Sequence, residues 1–308
     1  MGTPPFAVCS LKALRERGFD IKAVVTQPDK ERGRGRKVSF TPVKEAALEM
    51  GIPVLQPVSM KDPQFINTLK EINASLFVVV AFRILPLSVL ELPELGSVNL
   101  HASLLPRYRG AAPINHALFN GEKETGVTVF FLNRGVDTGS IISSETVAID
   151  DGDDYGTLYE KLAVRGAGLL ADTAQNIFDG NYSARPQEKG AFPVAPKIGP
   201  ADFVIDWTLD AESIRNRVRG LSPKPGACAA LNGVRIKILS AASDSAPCDA
   251  EPGTVIEADC KKGILRVAAG KGSLIITKVQ PESKAATDAR CFLNGHRIVP
   301  GTRFDKSF

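Results

Sequence analysis

Short apolar runs alternate with helix-spaced patterns through the first 180 residues. Ile21 to Thr26 (IKAVVT) and Ile52 to Leu55 predict strands, and between them Thr41 to Met50 predicts a helix entered through Pro42. Asp62 to Ile72 has the spacing of an amphipathic helix. Leu76 to Phe82 (LFVVVAF) is a near-continuous apolar run of strand length, the pattern of a strand covered on both faces. Val98 to Ala102 and Gly126 to Leu132 predict two more strands. Tyr155 to Phe178 predicts a long helix, with Asp153 and Asp154 placed to favour its N-terminus. Strands separated by helices need crossover connections. The expected fold of residues 1–180 is therefore α/β, with a Rossmann-like, mostly parallel sheet.

Near residue 180 the pattern changes. Asn181 to Pro200 holds Pro186, Pro193, Pro196 and Pro200 with little periodicity, and a linker is expected over 181–203. Asp210 to Arg219 predicts one helix, followed by the turn-rich Ser222 to Gly226. Short strands are then predicted over Ala227 to Leu231, Val234 to Leu239, Gly253 to Ala258, Gly263 to Ala268 and Ser273 to Val279. Five short strands with Gly and Asn turns point to a small β-barrel over 204–308.

Of the 308 residues, 44% are hydrophobic and 23% charged, which excludes collagen-like and wholly disordered chains. No run of about 18 apolar residues occurs, so no transmembrane helix is expected. The N-terminal segment lacks the features of a signal peptide, and a cytoplasmic location is expected. Five cysteines (Cys9, Cys228, Cys248, Cys260, Cys291) are scattered without paired spacing, so neither a disulfide framework nor a zinc site is expected.

Charge is informative once divided. Residues 1–200 carry 22 basic and 22 acidic residues, while residues 201–308 carry 16 and 12, so the whole net charge of +4 lies in the C-terminal third. The neutral part still contains one dense basic stretch: Lys30, Arg32, Arg34, Arg36 and Lys37, interrupted by Gly33 and Gly35. Each feature alone fits a solvated face. Together they point to a polyanionic partner.

Candidate chemistry centres on His101. Period-two alternation sends Asn99 and His101 to one side of a strand and Val98 and Leu100 to the other. These polar groups cluster at the C-terminal end, where open α/β sheets bind ligands. After the strand at Gly126 to Leu132, Asn133 to Gly139 places Asp137 on a glycine-flanked loop. A satisfied buried histidine beside two polar loop residues gives the same pattern, and residue types alone leave both readings open. His116 and His296 are expected to be structural, and Trp207 to pack at the domain junction.

Asn99-x-His101, running into Ser103-Leu104-Leu105-Pro106-x-x-x-Gly110 with Asp137 38 residues after Asn99, resembles the folate-dependent formyltransferases. Three longer stretches are similar to the tRNA-directed branch of that family: HASLLPRYRGAAPINHALFNGEKETGVTVFFLNRGVDTG, QPDKERGRGRKVSFTPVK and FLNGHRIVPGTR. The resemblance covers nearly the whole chain. It implies transfer of a formyl group from 10-formyltetrahydrofolate to the α-amine of methionyl initiator tRNA, by a monomer and without a metal. It also implies catalytic roles for Asn99, His101 and Asp137. Asn99 would donate to the oxyanion of the tetrahedral intermediate, His101 would donate as a cation, and Asp137 would pair with His101 and orient it.

On the same basis Ser103, Leu104, Leu105 and Pro106 would face the folate. Lys30, Arg32, Arg34, Arg36 and Lys37 would enter the tRNA acceptor stem, with Arg34 foremost. The C-terminal barrel would be OB-like and carry the rest of the tRNA. Family members usually begin with an apolar strand that runs into the segment matching Met1 to Val8, so the resemblance implies a strand ahead of Met1 and a groove in the core without it. The alternatives are a relative acting on a sugar nucleotide or purine precursor, or a non-catalytic RNA-binding relic.

Overall fold

A computed structural model describes residues 1–32 and 37–305, with the backbone alone at 31, 32, 37 and 38. The chain divides into two compact units. The first comprises Met1–Pro113, Glu124–Ala148 and Tyr159–Val194; the second comprises Ile114–Lys123, Ile149–Leu158 and Ala195–Phe308.

In the first unit the elements run α1 (Pro5–Glu16), β1 (Val24–Val25), α2 (Pro42–Glu49), β2 (Val54–Leu55), α3 (Pro63–Ile72), β3 (Phe77–Val80), β4 (Ser97–His101), β5 (Glu124–Phe131) and β6 (Ile141–Ala148), with the helix α4 (Tyr155–Phe178) following. α2 begins where Thr41 accepts a hydrogen bond from the Lys44 amide, and α3 where Asp62 accepts from Gln64; a proline follows each cap. Strands β1 and β2 pair in parallel, as do β3 and β4, which fits helical crossovers between them. The larger sheet then continues antiparallel, in the order β3-β4-β5-β6. Val98 and Leu100 are buried on one face of β4, where α4 comes close at Gly166: a Cβ there would lie 2.9 Å from a Leu100 methyl. That close approach leaves the opposite face of β4 to Asn99 and His101.

The N-terminal residues link the two parallel pairs. The Gly2 amide donates to Val25 (3.0 Å), and the Val80 amide donates to the Met1 carbonyl (2.9 Å). Beside this bridge lies a cavity of about 510 Å³ lined by Leu11, Leu14, Val24, Val25, Val78 and Phe178 among others. Burial pushes the Met1 amine down to about 5.

The second unit is built on a seven-stranded antiparallel sheet. After helix α5 (Ala211–Leu221) come β7 (Ala227–Leu231), β8 (Val234–Asp244), β9 (Val255–Asp259), β10 (Ile264–Ala268), β11 (Ser273–Pro281), helix α6 (Ala289–Gly295) and β12 (Phe304–Asp305). The order is β9-β10-β11-β8-β7-β12, with Thr287–Asp288 added beside β11. The sheet curls until its ends meet: the Val255 amide donates to Thr302 and the Phe304 amide to Gly253, both at 2.8 Å. Curling covers a core of Ile214, Ile238, Leu265, Ile276, Phe292 and others. Trp207, expected at the domain junction, lies instead inside this core, 5.5 Å from the Phe304 ring. The reason is local alternation: Ile205 and Trp207 share the inward face, while Asp206 binds the exposed Thr208.

Candidate active site

His101 ends β4 and is buried, directly across from Thr128 of β5; Asn99 sits one step back, across from Phe130. The alternation therefore works as the sequence implies. The ring of His101 is fixed by its Nε2, which lies 2.9 Å from the Tyr108 carbonyl. A carbonyl only accepts, so Nε2 carries a proton and donates it there. The other ring nitrogen, Nδ1, faces Asp137 Oδ2 at 3.7 Å, too long for a hydrogen bond but within ion-pair range. Asn99 is half-buried, and its amide makes no side-chain hydrogen bond among the described residues.

Asp137 reaches His101 through a tightly folded loop. The chain leaves β5 at Phe131 and returns at Gly139, where a Cβ would come within 1.6 Å of the Phe131 carbonyl oxygen, so only glycine fits. Asn133 accepts from the Gly135 amide (2.9 Å) and from the Thr138 hydroxyl (2.8 Å), which closes the turn. Asp137 itself has φ +52°, a left-handed conformation that aspartate tolerates better than most residues. Its Oδ2 accepts from the Gly110 amide at 2.9 Å, so one carboxylate oxygen is shared by a backbone donor and the His101 pair.

The Ser103 to Pro106 segment follows His101 after one intervening residue, Ala102, and is held by Thr128. Thr128 donates its hydroxyl to the Ser103 carbonyl (2.7 Å) and accepts from the Leu105 amide (3.2 Å), while Ser103 donates to the Arg107 carbonyl (2.6 Å). Leu104 lies against Gly126, where a Cβ would come 2.5 Å from a Leu104 methyl. Gly110 belongs to the sequence motif, but Thr128, Tyr108, Arg109 and Gln187 were not among the candidates, and all bind residues of this cluster or one another. For Thr128 a signal existed: it is one polar residue inside the apolar VTVFF run, and it is fully buried.

Of the basic stretch, Lys30 is exposed. Lys30–Arg32 pairs antiparallel with Lys37–Ser39, bringing the backbones of Arg32 and Lys37 opposite each other. Arg34 and Arg36 lie outside the described residues. The base of the stretch is anchored by Asp29, which accepts from Lys44 Nζ (2.5 Å) and Gln56 Nε2 (2.8 Å). The Lys44 ammonium, and then the Gln56 amide, hold the Asp29 carboxyl below the usual carboxylate range.

The two remaining histidines bind backbone carbonyls, His116 that of Pro196 (3.0 Å) and His296 that of Phe292 (2.9 Å). Among the described residues no group of three His, Cys, Asp or Glu is placed to hold a metal ion, and no helix is long and apolar enough to cross a membrane.

The formyl transferase family matches residues 1–173, and the family's C-terminal domain matches residues 197–297. A methionyl-tRNA formyltransferase of Caldanaerobacter subterraneus subsp. tengcongensis is 46% identical over 304 residues, covering 98% of this chain and 97% of its own length. One of Symbiobacterium thermophilum is 45% identical over 306 residues, covering 99% and 94%. Among solved structures, the sugar 3N-formyl transferase WlaRD, in the presence of dTDP and 5-N-formyl-THF, matches with a TM-score of 0.67 at 21% identity over 92% of this chain and 97% of that one. An N-formyltransferase of Helicobacter canadensis, in complex with folinic acid and dTDP-3-aminofucose, matches with a TM-score of 0.66 at 22% identity over 91% and 97%. At those identities the solved structures speak to the fold, whereas the closer sequence relatives speak to the branch. This chain belongs to the formyl transferase family, among its methionyl-tRNA formyltransferases.

Proposed function

We propose that this chain transfers the formyl group of 10-formyltetrahydrofolate to the α-amine of methionyl initiator tRNA, in the cytoplasm, at the cluster formed by Asn99, His101 and Asp137. The observation that carries the chemistry is the meeting of His101 and Asp137 at 3.7 Å, with Asn99 two positions before His101 on the same strand and its amide without a side-chain hydrogen bond among the described residues. The amine nitrogen attacks the formyl carbon, forming the new C–N bond while the carbonyl becomes an oxyanion. Collapse then breaks the bond to N10, which takes up a proton as the amine gives one up. Asn99 donates to the oxyanion. With Nε2–H held by the Tyr108 carbonyl, Nδ1 is the edge of His101 that exchanges protons with the reacting groups, and Asp137 stabilises the cation that results. Preorganised donors of this kind are each worth about 10²–10³ in rate.

Ser103, Leu104, Leu105 and Pro106 form the wall against the folate, supported by Thr128. Residues 1–180 hold the transfer site, the expected linker of 181–203 packs against it as far as Val194 before leading on, and the curled sheet of 204–308 carries tRNA through its net positive charge. Lys30, Arg32, Arg34, Arg36 and Lys37 neutralise acceptor-stem phosphates. The identity to methionyl-tRNA formyltransferases over 98% of the chain favours tRNA over a sugar nucleotide as acceptor.

The test offers both acceptors to the purified protein with a radiolabelled formyl donor. Label should appear on initiator methionyl-tRNA and not on an aminosugar nucleotide; the reverse outcome overturns the proposal. Arg34→Ala should weaken use of the tRNA and lower the salt slope of its binding by roughly one unit, because one phosphate contact is lost. An unchanged slope removes Arg34 from the tRNA surface.

A further inference from the structure

We propose that Gln187 is a positioning residue for formyl transfer, using both ends of one side-chain amide to lock Asp137 against His101. This inference rests on the role given to Asp137 above. Within 181–190, Gln187 alone is partly buried; its neighbours are exposed. Its Nε2 donates to two backbone carbonyls of the catalytic loop, Asp137 O at 2.8 Å and Gly139 O at 2.9 Å. Its Oε1 accepts from Arg109 Nε (2.9 Å) and Nη2 (2.5 Å). Carbonyls only accept and a guanidinium only donates, so the partners admit a single amide orientation.

The consequence lies in which segments are joined. Arg109 immediately precedes Gly110, the backbone donor that holds Asp137 Oδ2. Gln187 therefore ties the segment that supplies the carboxylate to the segment that supplies its hydrogen-bond donor. Asp137 sits in a left-handed conformation on a loop whose residues 133–136 and 138 are all exposed. Few packing contacts are available to hold such a loop, and the two carbonyl hydrogen bonds from Gln187 bracket the residue that matters. The Gln187 segment is itself fixed: Arg185 and Ile141 exchange backbone hydrogen bonds at 2.9 and 2.8 Å, and the Tyr108 amide donates to Pro193 at 2.6 Å.

Two variants separate this role from a merely structural one. Gln187→Ala removes every contact. Gln187→Glu keeps the acceptor for Arg109 but turns a carboxylate oxygen toward the two carbonyls. Both should lower kcat for formylation about 10- to 100-fold, since small displacements of a catalytic group have effects of that size. KM for folate and for methionyl-tRNA should stay within about twofold, because the reacting geometry is lost rather than binding. In an Asp137→Ala background, Gln187→Ala should cost almost nothing further. Wild-type kcat in Gln187→Glu would mean that only the Arg109 contact matters and overturns the proposal. So does a penalty that is undiminished in the Asp137→Ala background, or a loss of kcat that merely tracks a fall in melting temperature. Wild-type activity in Asp137→Ala itself would instead remove the reading of the site on which the proposal rests.

Discussion

Thr128 shows how much a single buried hydroxyl can organise. It sits fully inside the sheet, across from His101, and satisfies both a carbonyl and an amide of the segment that follows His101. Replacing it with valine keeps the shape but leaves the Ser103 carbonyl and the Leu105 amide without that partner. Unmet buried groups of this kind cost about 1–3 kcal/mol. Thr128→Val should therefore lower the urea midpoint of unfolding by an amount equivalent to about 2 kcal/mol. It should also raise the KM for the formyl donor, because the segment Ser103 to Pro106, proposed above as the wall against the folate, loses its support. An unchanged midpoint and KM would show that the segment is held by other contacts. Asn99 and His101 were legible in the sequence because period-two alternation places them on one face. Asp137 needed the family resemblance, since its approach depends on a loop closed by Gly139 and on long-range partners such as Gln187, 50 residues away.

At the scale of elements, the base of the basic hairpin offers a titratable handle. Asp29, Lys44 and Gln56 form a closed network, and Gln56 also donates to the Gln27 carbonyl at 2.9 Å. Since the folded state lowers the Asp29 carboxyl below its unfolded value, its contribution is present above the ordinary carboxylate value and is lost as pH falls through the lower, folded one. The parent should thus melt higher than Asp29→Asn at about pH 6, with the gap closing toward about pH 2.5. A gap that is the same at both ends would mean that the carboxylate is not held by charge. The same scale shows where pattern reading fails. Helices α2 and α3 were legible because Thr41-Pro42 and Asp62-Pro63 cap them. Strand β6 was not predicted: Ile141–Ala148 carries Ser143, Ser144, Glu145 and Thr146 at consecutive positions, and it lies at the end of the sheet, paired along its length with β5 and bridged on its other side to Arg185 at Ile141. Helix α1 was not predicted either. Its inward residues Phe6, Ala7, Ser10, Leu11 and Leu14 have helical spacing, but the Pro4-Pro5 start obscured it.

For the whole molecule, the division of charge and pattern near residue 180 anticipated an α/β part followed by an antiparallel curled sheet. It did not anticipate that the compact units would be discontinuous in sequence, with Ile114–Lys123 and Ile149–Leu158 grouped with the C-terminal residues. Periodicity reports which face of an element is buried, not which body buries it, so such exchanges are invisible to it. The cavity of about 510 Å³ beside Val24, Val25 and Val78 is likewise a property of the assembled sheet, which local pattern alone does not reveal.

The central claim is that Asn99, His101 and Asp137 act as one unit on the formyl group. It is tested most directly by single-turnover formylation of initiator methionyl-tRNA by the parent, the three single alanine variants and their double combinations. Each single variant should be about 10²–10³ slower with unchanged tRNA affinity, and the doubles should lose far less than the product of the singles. A parent-like rate in any correctly folded single variant, or strictly multiplicative losses in the doubles, would contradict the account.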